Sequence, residues 1–184
     1  MAQTNELSTT SFAVLGLLTF GEMSGYDVMK LAEESIGHFW SPAKSHVYAE
    51  LRRLAASGLA TERHVEQDSR PNKRLYAITR AGEEALRRWL EEAPIEPSPI
   101  KSVLTLKVFF GNLASPPALR SQVEAVKRLS EEHLSALRGI ESEIADNEAL
   151  LYPYLTLKSG LAHCEADITW TQEVLDELDR REGR

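Results

Sequence analysis

The chain has 184 residues, 42% hydrophobic and 27% charged, with a net charge of −7. This is the composition of an ordinary globular protein with room for one domain and a smaller partner, or for two small domains, and its acidity counts against a general nucleic-acid coat. The longest apolar run, Phe12 to Leu18, is far below the roughly 20 residues of a membrane span; the first ten residues hold no Lys or Arg, and Cys164 is the single cysteine, so a reducing cytoplasmic location is expected.

In chain order, Thr10 to Phe20 reads as an apolar helix stopped near Gly21. Ser24-Gly25-Tyr26-Asp27 then sets a hydroxyl at a cap and an acid three residues later, a variant capping box. Val28, Leu31, Ala32 and Ile36 form the inner face of that second helix, and Gly37 ends it. Ser41-Pro42 predicts the third start, a capping serine before a proline at the first helical position, and Gly58 the stop. Val47, Leu51 and Leu54 fall at i, i+4 and i+7, one buried stripe. The segments Leu59 to Val65 and Arg74 to Thr79 flank a polar loop and predict a two-stranded hairpin. Thr79 caps a closing helix that reaches Glu92, with Glu83 and Glu84 near its positive end.

This order is that of a winged helix. The expected fold is mainly α with a small β-hairpin. Residues 1–93 form an N-terminal winged helix-turn-helix, 94–99 a linker marked by Pro94, Pro97 and Pro99, and 100–184 a C-terminal helical dimerisation and effector domain.

Beyond the linker, Lys101 to Leu113 is helical, Ser115-Pro116 opens a long helix to about Asn147, and Pro153 opens the last, to about Arg180. Leu119, Val123, Val126, Ser130, His133, Leu137, Ile140 and Ile144 alternate steps of four and three, as do Leu157, Leu161, Cys164, Ile168, Thr171, Leu175 and Leu178. Such seams want other helices against them. The first helix, about 48 Å long at ~1.5 Å per residue, exceeds what a small domain covers, so a homodimer built on these stripes is expected. An antiparallel pair within one chain accounts for the stripes but not for the extra length.

Function is legible in the distribution of charge. Between Ser41 and Arg80 eight cations face four anions, so a basic segment sits on an acidic body. In a helix-turn-helix the second helix enters the major groove. With Val47, Leu51 and Leu54 inward, that helix presents Lys44, Ser45, His46, Ala49, Arg52 and Arg53. Ser41, Lys44 and Ser45 suit phosphate at a helix start, and Ser45, His46 and Tyr48 suit base edges. Arg70, Lys73 and Arg74 stand near the hairpin tip, where a wing meets the DNA backbone or minor groove.

Other chemistry finds little support. His163 beside Cys164 lacks a third ligand at metal spacing, no phosphate-cradling glycine loop or nucleophile turn occurs, and no cofactor or catalysis is expected. Aromatic candidates for an effector pocket are Trp40, Trp89, Phe109, Phe110, Tyr152, Tyr154 and Trp170, with His163 as a polar member; core packing is the ordinary use of such residues.

The stretch Phe39-Trp40-Ser41-Pro42, His46-Val47-Tyr48-Ala49-Glu50-Leu51-Arg52-Arg53-Leu54 and Gly58-Leu59 resembles the PadR-type regulators. So do Arg70-Pro71-Asn72-Lys73-Arg74-Leu75-Tyr76-Ala77-Ile78-Thr79 with Ala81-Gly82, and the opening Ala13 to Leu18 with Ser24 to Asp27. The C-terminal half resembles the longer branch of that family more loosely, anchored on Tyr152, Gly160 and Trp170. The resemblance implies a homodimeric repressor bound to a pseudo-palindromic operator and released by a small, often aromatic or phenolic, effector. Ala43-Lys44 departs from the small residues or glycine that family members often carry there, which bears on sequence preference. The other reading is a winged-helix module that binds protein rather than DNA.

Overall fold

The computed structural model describes residues 7–37, 39–40, 43–66, 73–95 and 101–183. The chain divides into two compact units, Met1–Glu96 and Pro97–Arg184. No helix among the described residues is long and apolar enough to cross a membrane.

The first unit opens with α1 (Thr9–Leu18), one residue earlier than its apolar run suggests, because Ser8 and Ser11 form a reciprocal capping box. After Gly21, whose φ is +134°, come a two-residue strand β1 (Met23–Ser24) and α2 (Gly25–Ser35). Ser24 caps α2 as expected: its hydroxyl accepts from the Asp27 N–H, and the Asp27 side chain accepts from the Ser24 N–H. Helix α3 (Lys44–Ala56) ends at Gly58, held at φ +74°. A glycine there carries the left-handed turn without a Cβ penalty.

Strands β2 (Ala60–Val65) and β3 (Lys73–Ile78) pair antiparallel from Ala60 opposite Ile78 to Val65 opposite Lys73. The expected two-stranded hairpin is in fact a three-stranded sheet of order β1-β3-β2, with Met23 opposite Tyr76 and Ser24 opposite Leu75. Two residues are too few to show an alternating pattern, so β1 left no mark in the sequence. Thr79 then caps α4 (Arg80–Glu92), accepting from the Gly82 N–H at 3.1 Å while donating to the Gly58 carbonyl at 2.8 Å.

These elements enclose one core of Val14, Leu15, Leu17 and Leu18 from α1, Val28, Met29 and Ala32 from α2, Val47, Leu51 and Leu54 from α3, and Ala60 and Tyr76 from the sheet. Each fully buried Leu or Val stabilises by roughly 1.5–3 kcal/mol of transfer free energy, which fixes the rotation of α3 about its axis. The outward face of α3 follows from that rotation.

The second unit contains α5 (Val103–Phe109), a 3-10 turn (Gly111–Leu113), α6 (Pro116–Ile144), a second 3-10 turn (Glu148–Leu150) and α7 (Leu151–Glu182). Helix α7 starts before Pro153, which sits in its first turn where a missing N–H costs nothing.

The two seams meet each other. Leu119 and Val123 pack with Leu175, Val126, Trp170 and Leu178 in one cluster, and Leu137 packs with Leu157, Leu161, Cys164, Ile140 and Ile144 in another. Polar ties run in the same antiparallel sense: Arg120 donates to Asp179 at 2.6 Å, Lys127 to Gln172 at 2.6 Å, and Lys158 to Glu141 at 3.3 Å. Stripes expected to draw two copies together are thus used within one chain. Ile168, also on the α7 stripe, is half-buried. The length mismatch invoked against this arrangement does not arise, because α7 is as long as α6: 32 residues against 29.

Candidate nucleic-acid interface

Among the described residues, no side chain caps the first turn of α3. Its N-cap is Ala43, which makes no side-chain capping bond, and the helix starts at Lys44. This corrects the expectation of a cap at Ser41 with Pro42 in the first turn; Ser41 and Pro42 themselves lie outside the described residues. A helix start without a side-chain cap leaves N–H groups and a positive dipole end for an anion.

Lys44, Ser45, His46, Tyr48, Ala49 and Arg52 are all exposed along one side of α3, opposite the buried Val47, Leu51 and Leu54. Arg52 makes no ion pair among the described residues, whereas Lys44 stands 3.7 Å from Glu33 of α2. Tyr48 leans on α2, its ring occupying the space a side chain at Gly25 would take. A small groove of about 290 Å³ between α2 and α3 is lined by Tyr26, Met29, Lys30, Glu33, Lys44 and Tyr48.

Arg53 behaves differently from its neighbour. Its Nη2 reaches the hydroxyl of the fully buried Ser11 on α1 at 3.3 Å, and its Nη1 lies 3.6 Å from Glu50. Ser11 in turn donates to Glu50 at 2.6 Å. Arg53 therefore ties α3 to α1 and does not stand on the outward face with Arg52.

On the wing, every described cation meets an acid. Lys73 lies 3.0 Å from Asp27, Arg74 2.9 Å from Glu62, and Arg63 makes two bonds to Glu22 at 3.1 and 2.5 Å. Glu62 faces Tyr76 across the ladder and also meets His64 at 3.0 Å, so Glu62, His64, Arg74 and Tyr76 form one face of the hairpin. Burial, with the Glu62 charge added, raises the Tyr76 phenol above its ordinary range. The Asp27 carboxyl is pulled down to about 2, chiefly by the Ser24 hydroxyl, then by the Ser24 N–H and Lys73. Arg70 lies outside the described residues.

The acids are what sequence reasoning missed. Asp27 was legible only as a cap, and Glu62 carried no signal until the β2–β3 register placed it opposite Tyr76.

The aromatic candidates scatter. Trp89 stacks on Phe12 at 4.8 Å and 8°, packing α4 on α1. Trp40 is 36% exposed and Tyr154 joins the Leu137 cluster. Phe109 and Tyr152 are exposed, Phe109 lying edge-on to Phe110, and the exposed His163 is bonded to the Ser159 carbonyl one turn back. Trp170 alone of the effector candidates lines a larger groove, about 560 Å³, with Val108, Leu119, Val174 and Leu178 as apolar walls.

Residues 14–88 match the transcriptional regulator PadR-like family model, and residues 100–179 match the virulence activator alpha C-terminal model. The chain is 30% identical over 176 residues to the negative transcriptional regulator PadR of Bacillus subtilis (strain 168), spanning 92% of this chain and 97% of that one. It superposes with a TM-score of 0.83 and 28% identity on Bacillus subtilis PadR in complex with operator DNA, covering 94% of this chain and all (100%) of that one. The same protein in complex with p-coumaric acid gives 0.76 at 28% identity, with 94% and 99% covered. The uncapped α3 start, the paired wing and the helical second unit are those of a winged-helix regulator, and the chain belongs to the PadR-like family of transcriptional regulators.

Proposed function

We propose that the chain is a homodimeric, cytoplasmic repressor that binds a pseudo-palindromic operator through α3 and the β2–β3 wing. One observation carries the reading: α3 buries Val47, Leu51 and Leu54 and so turns Lys44, Ser45, His46 and Arg52 outward from an uncapped helix start. That is the surface a major groove takes, with Ser45 and His46 at base edges and Lys44 at phosphate. The relative solved with operator DNA supports it.

A dimer on this chain uses surfaces other than the α6–α7 seam. Val103, Leu106, Phe109, Phe110 and Leu113 leave an exposed apolar patch along α5 and the turn after it, and a patch of this kind marks an interface. Two copies place two recognition helices on two half-sites.

The effector is a small aromatic molecule, by analogy with the relative solved with p-coumaric acid. The Trp170 groove, with apolar walls and Glu173 and Arg181 among its lining residues, has the composition of a small-molecule site.

Titration of the full chain with its own promoter DNA at two salt concentrations tests the reading. Sequence-preferential binding that weakens steeply with salt is expected; absence of any preference at low salt sinks it. Release of that complex by phenolic acids tests the effector.

A further inference from the structure

Lys73 and Arg74 begin β3, where a wing meets a DNA backbone, yet each already holds a carboxylate. Lys73 Nζ is 3.0 Å from Asp27 Oδ2, and Arg74 Nη1 donates to Glu62 Oε1 at 2.9 Å. Neither acid is loose. Asp27 also accepts from the Ser24 N–H at 3.0 Å and from the Ser24 hydroxyl at 2.6 Å, as half of the box that caps α2. Glu62 lies on a paired strand, 20% exposed, within 3.0 Å of His64 Nε2.

We propose that Asp27 and Glu62 set the DNA affinity of this protein, acting as built-in competitors for phosphate at Lys73 and Arg74. The proposal rests on the DNA-binding reading above. A phosphate that approaches either cation meets a charge already cancelled. A long Lys or Arg side chain can swing toward DNA, but the tethered carboxylate stays behind, a few ångströms from an incoming anion. Each wing cation therefore contributes less than a free one to the counterion-release term that dominates sequence-independent binding.

Arg52 on α3 has no ion pair among the described residues, so the recognition helix keeps one unpaired cation while the described wing cations each hold an acid. Binding is thereby shifted away from the backbone and toward base readout. The opposite role, acids that aim Lys73 and Arg74 at DNA, predicts the opposite sign when the acids are removed.

The test uses Glu62→Gln and Asp27→Asn in the full chain, titrated by fluorescence anisotropy with a random-sequence duplex over a range of salt. Each variant should bind about two- to fivefold tighter at moderate salt, the range that surface charge pairs support. The log–log salt slope should steepen by about 0.9 per acid removed. In an Arg74→Gln background the gain from Glu62→Gln should vanish, and in a Lys73→Gln background so should that from Asp27→Asn.

Unchanged or weaker binding by Glu62→Gln overturns the proposal, and so does a gain that persists without Arg74, which would reflect net charge alone. Thermal melts check folding; because Asp27 also caps α2, Glu62→Gln carries the decision if the Asp27 variant is unstable. A wild-type chain that binds no duplex at low salt defeats the DNA-binding reading itself, an outcome seen before any variant is made.

Discussion

The ring of Tyr48 fills the space that a side chain at Gly25 would need: a Cβ at Gly25 would lie 2.3 Å from Tyr48 Cε1 and 2.7 Å from Cδ1. The first residue of α2 thus sets how Tyr48 of α3 leaves the helix, and with it the surface offered to DNA.

Gly25→Ala is therefore expected to displace the Tyr48 ring, at a cost of about 1–3 kcal/mol typical of overpacking. Urea denaturation should show the loss, and operator affinity should fall with it. Pairing the change with Tyr48→Ala removes the clash, so the stability cost of Gly25→Ala should disappear in that background. A cost that survives there would mean that the α2 backbone, not the ring, is the obstacle.

Gly82 has a harder neighbour. A Cβ there would come within 2.1 Å of the Leu59 carbonyl oxygen, and backbone cannot rotate aside as a ring can. Gly82→Ala should cost about 3 kcal/mol or more, visible as a large drop in denaturation midpoint. Gly139 is the control: it is exposed within α6 with nothing within 4 Å of a built Cβ. Gly139→Ala should stabilise by about 0.8–1 kcal/mol through helix propensity.

The Asp27 carboxyl gives a pH signature. Its folded value, about 2, is below the ordinary 3.8 because Ser24 and then Lys73 hold the charged form. A depressed carboxyl stabilises fully above its unfolded value and loses that contribution as pH falls toward the folded one. Stability should therefore decline between about pH 4 and pH 2 in wild type, and less so in Asp27→Asn, measured by melting temperature against pH. Equal slopes in the two proteins would remove Asp27 from the acid response. The same substitution at neutral pH removes a negative charge from the first turn of α2 and should cost about 0.3–1 kcal/mol.

Much of this fold was legible because its signals are local. Ser24 with Asp27, Thr79 before α4 and Gly58 after α3 each act within four residues, and all were read in place. The Val47, Leu51 and Leu54 stripe gave the orientation of α3 for the same reason. Partners at a distance were not legible. Heptad spacing states that a helix wants covering but not by which helix; here a six-residue connection, residues 145–150, lets the α6 and α7 stripes pack on each other within the chain. Trp89 pairs with Phe12 across most of the first unit, and Arg53 turns to Ser11 because Ser11 happens to be buried beside it. Ionic pairing on the wing needs strand register, which composition does not state.

Seam and patch should separate cleanly on substitution. Leu137 is 1% exposed, and a Cβ on Gly160 would touch its Cδ1 at 3.1 Å, so α6 and α7 meet closely there. Leu137→Ala opens a cavity inside one chain and should cost about 2–5 kcal/mol, seen as a lower denaturation midpoint. Phe109 and Leu113 are 79% and 83% exposed, so Phe109→Ser with Leu113→Ser removes little from the fold of a single chain. Light scattering should instead show weaker self-association for that double variant, because the apolar patch that covers the second copy is gone. If Leu137→Ala gives a stable, folded monomer while the serine variant keeps the wild-type mass, the interface lies on the seam and α6 exchanges its partner between chains.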